Sequence, residues 1–385
     1  MEKSMVDILR QYDWVNEDAL MVRSPGRVNI IGEHTDYNEG FVLPAAIDKA
    51  VYMAIKPRED GRIRLTAHDL GKTYETTIDQ LHPDESRGWA NYLVGSVAQV
   101  QKQGVAIKGF DAVFTSTVPI GSGVSSSAAL ECATVFAMNQ MLGAGFEKIR
   151  MVKMAQKAEH EYAGVMCGIM DQFASMMGKK DHVIRLDCKT LDFDWVPLDL
   201  KDHRILLLNT NVKHSLASSA YNTRRQECEQ AVAWVQEHHA QVRSLRDVNL
   251  DMLDAYVAPK NALVDQRARF VVQEIERLNS ACSFLQQGDL QGLGQKMFQT
   301  HYGLSKMYEV SCAELDYLVE QVEGNGDVLG ARMMGGGFGG CTINIVKANA
   351  IEELVASIQP GYEQKFNLPL SWFVAEVADG TSLVS

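Results

Sequence analysis

The segment Pro119–Ala129, PIGSGVSSSAA, constrains the fold of this chain more than any other stretch. Before it, Phe110–Val118 alternates roughly apolar with polar residues, the period of a strand. Pro119, Gly121 and Gly123 then impose a turn. From Ser125 onward Ala129, Leu130, Ala133, Phe136 and Ala137 fall on one helical face, and Ser125, Ser126 and Ser127 are N-cap candidates. Two readings fit this junction. It is either an ordinary strand-turn-helix connection with a serine cap, or a cradle for an anion. In the second reading the glycines let a ligand approach the backbone, and the helix behind them aims free N–H groups and its positive dipole end at the loop.

The junction is not a P-loop. The nearest match to that motif ends in Gly71-Lys72-Thr73, with Thr66 where its first glycine belongs. Gly335, Gly337 and Gly340 match G-x-G-x-x-G, but Cys341–Val346 behind them alternates like a strand, so the dinucleotide reading fails. No protein-kinase catalytic loop or Asp-Phe-Gly is present.

Helices are expected from about Arg150 to Tyr162 and over Lys260–Gln287, and a buried strand at Ile205–Leu208. Strands and helices mix throughout, so the class is α/β or α+β. The 385 residues suggest two domains at about 100–200 residues each. The boundary falls between Asp202 and Asn211, dividing the chain into 1–205 and 206–385. With 46% hydrophobic residues the chain can bury a substantial core.

The net charge of −12 disfavours nucleic acid, so an anionic substrate needs a local positive site. Seven scattered cysteines without a CxxC pair fit reduced thiols in a cytoplasm. The charged amino terminus does not read as a signal peptide, and no apolar run of about 18 residues spans a membrane.

Two further segments carry chemistry. Ser24–Gly40, SPGRVNIIGEHTDYNEG, crowds Arg27, Glu33, His34 and Asp36 among glycines. Carboxylates accept hydrogen bonds from hydroxyls, so such a cluster suits a polyol, although a polar turn between strands reads the same way. Cys167–Gln172, CGIMDQ, sets Asp171 among small and apolar neighbours, where a buried carboxylate needs a partner such as an arginine.

In this order the three segments resemble the galactokinases of the GHMP kinase superfamily. The resemblance extends from about Ser24 to Cys341. PGRVNIIGEHTDYN looks like the sugar signature, PIGSGVSSSAA like the phosphate loop and GGGFGGC like the third motif. Trp89–Tyr92 and Tyr221–Cys228 look similar as well. The family implies an α+β, two-domain fold: an N-terminal α/β domain resembling a ribosomal-protein domain, a C-terminal ferredoxin-like domain, and the active site between them. It implies galactose and MgATP as substrates, and the chain is expected to act as a monomer.

Carried over residue by residue, the resemblance makes Glu33, His34, Asp36, Gly168 and Tyr221 sugar ligands, joined by Asp171. It makes Gly121, Ser122, Gly123, Val124, Ser125, Ser126 and Ser127 the ATP loop, with Ser127 and Glu159 as Mg²⁺ ligands. Asp171 becomes the catalytic base and Arg27 the stabiliser of the transition state. Gly335–Gly340 would close over the phosphates, and Trp89 and Tyr92 would line the adenine pocket. Whether Asp171 abstracts a proton or only orients the hydroxyl stays open.

The chain departs from the pattern at Met334, where galactokinases usually carry threonine, and at Val124, usually leucine. An N-acetylgalactosamine kinase is a rival, disfavoured by Thr35 and by Asn38-Glu39. A non-catalytic galactose and ATP sensor is another, disfavoured by the intact Ser125–Ala129 stretch.

Overall fold

The computed structural model describes residues 2–119, 121–212 and 217–384. Ile120, inside the glycine turn, lies outside the described residues.

The longest strand, Pro44–Arg58, shows how the first half is built. Val51, Met53 and Ile55 face a core of helices, whereas Ala50, Tyr52 and Ala54 face the N-terminal helix Glu2–Leu9. That alternation is the two-residue period of a strand covered on both faces. Around it a six-stranded sheet runs in the order Ser382–Leu383, Leu20–Asn29, Pro44–Arg58, Gly109–Ser116, Arg62–Ala67, Lys72–Thr77. All neighbours are antiparallel except Arg62–Ala67 with Gly109–Ser116.

Helices Ala90–Gln101, Ser126–Leu142, Lys148–Ala158 and Met170–Met177 pack on one face of that sheet. Ser126–Leu142 corrects the one-faced pattern expected of it. Every residue from Ala128 to Asn139 is buried, as a central helix requires. The helix expected to Tyr162 ends at Ala158 and continues as a π-turn, Glu159–Ala163, a distortion often found at functional sites.

A second, antiparallel sheet runs in the order Val328–Met333, Cys341–Lys347, His203–Asn209, Ser371–Ala375. Leu206 and Leu208 pack beneath helices Ala313–Val322 and Ile351–Phe366. Ile205 and Leu207 point the other way, into a core shared with Val28, Ile30, Ile31 and Leu43 of the first half. The two halves are therefore joined by apolar burial and not by a linker.

The expected 205/206 boundary cuts the strand His203–Asn209, all of whose partners belong to the second sheet. The chain end also returns, since Ser382 and Leu383 pair with Arg23 and Val22. A cut between consecutive residues thus misses how the halves interlock. A third sheet, Phe41–Val42, His182–Asp187 and Phe193–Pro197, completes the described strands.

Candidate active site

Arg27 owes its position to an irregularity in its strand. The register between Leu20–Asn29 and Pro44–Arg58 shifts between Pro25 and Arg27, and the Arg27 N–H turns to the Val124 carbonyl at 3.0 Å. A bulge of this kind re-aims a side chain. The buried guanidinium then grips Asp171 with two parallel bonds, Nε to Oδ1 at 2.8 Å and Nη2 to Oδ2 at 3.0 Å, while Nη1 donates to the Gly123 carbonyl at 2.6 Å. Burial alone would lower the Arg27 pKa, but the charges of Asp171, Glu33 and Asp36 outweigh it and the pKa rises. Ser125 Oγ adds a third donor to Asp171, at 2.5 Å to Oδ2. Asp171 therefore touches both Arg27 and the glycine-serine loop.

The loop presents its backbone. Gly121, Gly123 and Ser125 all take left-handed φ angles, +76°, +75° and +61°. Among the described residues nothing lies within 4 Å of a Cβ added at Gly121, which leaves an approach to its backbone. Ser122 turns its hydroxyl back to the Pro119 carbonyl, and Val124 is buried in the shared core. The cap expected of the serines is not made by Ser125. It occupies the N-cap position but makes no side-chain cap bond, its hydroxyl being spent on Asp171. The first-turn N–H groups thus keep their positive end for a ligand. Ser126 is exposed at the start of the helix.

On the other side of Asp171 a cavity of about 210 Å³ is lined by Glu33, His34, Asp36, Tyr221 and Gly335–Phe338, with Arg27, Asp171 and Glu159 also in its wall. Burial and the neighbouring Asp171 charge push Asp36 up to about 7. Burial pulls His34 down to about 4, so its imidazole is neutral at physiological pH. Its Nδ1 pairs with the Tyr37 hydroxyl at 2.8 Å. Gly168 does not line this cavity, but a Cβ there would collide with the Asp36 carboxylate at 1.9 Å, so glycine is what admits Asp36.

Ser127 Oγ donates to Glu159 Oε1 at 3.1 Å, and Gln172 Nε2 donates to Glu159 Oε2 at 2.6 Å and to Glu131 Oε2 at 3.0 Å. Burial, then the Asp171 charge, pushes Glu159 up to about 7; burial beside Glu159 lifts Glu131 well above the usual carboxylate range. No group of three or more His, Cys, Asp or Glu side chains suited to a metal occurs among the described residues. The expected pair is a hydroxyl and a carboxylate, hard oxygen donors of the kind Mg²⁺ takes.

The glycine-rich segment does more than expected of it. Gly335 donates its N–H to Glu33 Oε1 at 2.9 Å, and Gly336 lies against Tyr221. Both its ends abut the loop, Gly335 at the Gly123 carbonyl and Gly340 at Ser122. Met334 is buried in the shared core with Val118 and Val124, so its side chain lies outside the cleft. Trp89 and Tyr92 pack against the first-half core, and Trp89 meets the Phe114 ring edge-on. Thr35 donates to the Gly32 and Phe41 carbonyls and Asn38 to the His34 carbonyl, so both build the turn and neither lines the cavity. Arg332, Glu274, Glu131 and Gln172 hold the site together and were not singled out by sequence.

Comparison with known proteins agrees with this geometry. Residues 13–57 match the galactokinase galactose-binding signature, 91–179 the GHMP kinases N terminal domain and 281–362 the GHMP kinases C terminal domain. A galactokinase of Thermotoga maritima is 39% identical over 95% of this chain and 100% of its own, and one of Bacillus subtilis 37% identical over 93% and 92%. The structure of a Lactococcus lactis galactokinase complexed with galactose superposes with a TM-score of 0.93, at 32% identity, covering 100% of this chain and 99% of that one. The two-domain GHMP kinase fold, the anion-ready loop and the acidic pocket beside it share one explanation: the chain belongs to the galactokinase family, the ATP-dependent sugar kinases of the GHMP superfamily.

Proposed function

We propose that the chain transfers the γ-phosphoryl group of ATP to the C1 hydroxyl of α-D-galactose, giving galactose 1-phosphate and ADP. The observation that carries this reading is the position of Asp171, gripped by Arg27 and Ser125 where the sugar-side cavity meets the glycine-serine loop.

Phosphoryl transfer depends on alignment and charge stabilisation more than on covalent help. The loop N–H groups from Gly121 to Ser127 would hold the ATP phosphates. Arg27 would stabilise charge developing on the transferred group. Glu33, His34, Asp36 and Tyr221 would hold the sugar hydroxyls, with Gly168 making room for Asp36. Ser127 and Glu159 would hold Mg²⁺, which when bound supplies positive charge to the phosphate oxygens. Asp171 already accepts three hydrogen bonds on its two oxygens. A carboxylate so engaged serves to orient the C1 hydroxyl, taking its proton late in a loose transition state. The working unit is a monomer.

A sugar-panel assay of ADP release with ATP and Mg²⁺ tests the reading. Galactose is expected to turn over far faster than N-acetylgalactosamine. A preference for the acetylated sugar, or binding of galactose and ATP without ADP release, would overturn it.

A further inference from the structure

Asn29–Glu33, which leads into the proposed sugar ligands, is held by two buried charges from the second half of the chain. Arg332, on the Val328–Met333 strand, is fully buried. Its Nε donates to the Ile30 carbonyl at 2.9 Å and its Nη1 to the Met333 carbonyl at 2.6 Å. Its Nη2 donates to the Asn29 carbonyl and, at 3.0 Å, to Glu33 Oε1. Glu274, also fully buried, accepts the Gly32 N–H at 3.1 Å and the Thr300 hydroxyl at 3.0 Å.

A guanidinium is costly to bury, and an apolar side chain of similar volume often serves packing as well or better. Here the fork fixes two successive carbonyls and one carboxylate oxygen, a geometry that Lys cannot reproduce. Among the described residues, both hydrogen bonds to Glu33, from Arg332 and from the Gly335 N–H, fall on Oε1. Oε2 is left for a ligand. We infer that Arg332 is a positioning residue for sugar recognition, holding Glu33 so that its second oxygen meets a sugar hydroxyl. The inference rests on the proposed role of Glu33 as a sugar ligand.

The test measures galactose and ATP affinities by calorimetry for the intact protein and for Arg332→Met, Glu33→Gln and the double variant. Arg332→Met is expected to weaken galactose about 10–100-fold, the size of a hydrogen bond to a charged group, with ATP within about threefold. In the Glu33→Gln background the same change is expected to cost less than about threefold more, because its route is already cut. Losses that simply add would overturn the role of Arg332 and leave that of Glu33 standing. Undiminished galactose binding by Glu33→Gln would sink both, without touching the assignment to the family. If Arg332→Met does not fold, Arg332→Lys carries the same readout: weaker galactose with unchanged ATP supports positioning, and equal losses of both ligands refute it.

Discussion

The proposed sugar side and the proposed phosphate side of the cleft are built by opposite means. On the proposed sugar side, side chains would do the recognising, and the second half of the chain holds them: Glu33 by Arg332 and the Gly335 N–H, and the Gly32 backbone before it by Glu274. On the proposed phosphate side, the backbone would do the recognising. Ser122 and Val124 turn inward, and left-handed residues expose the chain. The difference follows from the ligands. A sugar presents many weak donors whose positions must be matched one by one, so each acceptor is fixed. A phosphate presents concentrated charge, which a set of N–H dipoles meets without side-chain precision. Asp171 is where the two designs meet.

The largest effect is expected at that meeting point. Asp171→Ala should cut kcat by about 10²–10⁴-fold while galactose and ATP still bind by calorimetry. Retention of most kcat would remove Asp171 from the reaction. Arg27→Ala should cost about 10²–10³-fold in kcat, with a smaller change in KM. A change confined to KM would move Arg27 to ground-state binding and leave the phosphate side to the backbone alone. Ser125→Gly separates backbone from side chain. It removes the hydroxyl on Asp171 yet suits the left-handed φ of +61°, so kcat should fall about tenfold while the melting temperature holds or rises. A fall in melting temperature would show that the hydroxyl supports the fold.

The sugar side should respond to pH through Asp36, which burial and the Asp171 charge raise to about 7. A sugar hydroxyl donating to Asp36 favours its anion, so galactose binding should release a proton near neutrality. Affinity should then weaken about tenfold from pH 8 to pH 6, and Asp36→Asn should flatten the profile. His34, lowered to about 4, stays neutral across this window. For the unliganded protein the raised pKa works the other way. Holding the anion in the fold costs stability as pH rises from 3.8 to about 7, so the Asp36 contribution favours the fold at the acid end. Tighter galactose binding at pH 6 would mean that Asp36 acts as a protonated donor.

What was legible in the sequence was local. Alternation located Gly109–Ser116 and Cys341–Lys347, and the glycines located the loop, because strand period and backbone freedom are written in neighbouring residues. The chain's partners across space were not. Arg332 and Glu33 stand 299 positions apart, and nothing near either marks it as buried. An arginine between Ala331 and Met333, just ahead of the glycine cluster, was the one available hint. Ser125 misled for the same reason: its residue type says cap, and only the fold brings Asp171 within its reach. Glu131 and Gln172 gave no signal, since a helical carboxylate or amide looks alike on a surface and in a core.

Met334 is the place where family pattern and physics part most clearly, and it supplies the smallest expected effect. Read from the motif, the missing threonine hydroxyl puts the geometry of the glycine segment in doubt. In the fold, Met334 donates its N–H to the Cys341 carbonyl at 3.0 Å and buries its side chain beside Val118 and Val124. A threonine there would bring a hydroxyl into apolar surroundings and surrender part of that packing. Met334→Thr should therefore cost about 1–3 kcal/mol of stability by chemical denaturation. Its kcat should stay within about threefold, because the backbone of Gly335 and Gly336 does the work at the cavity wall. A severalfold gain in kcat would mean that the segment acts through a side chain after all, and the contrast between the two sides of the cleft would weaken.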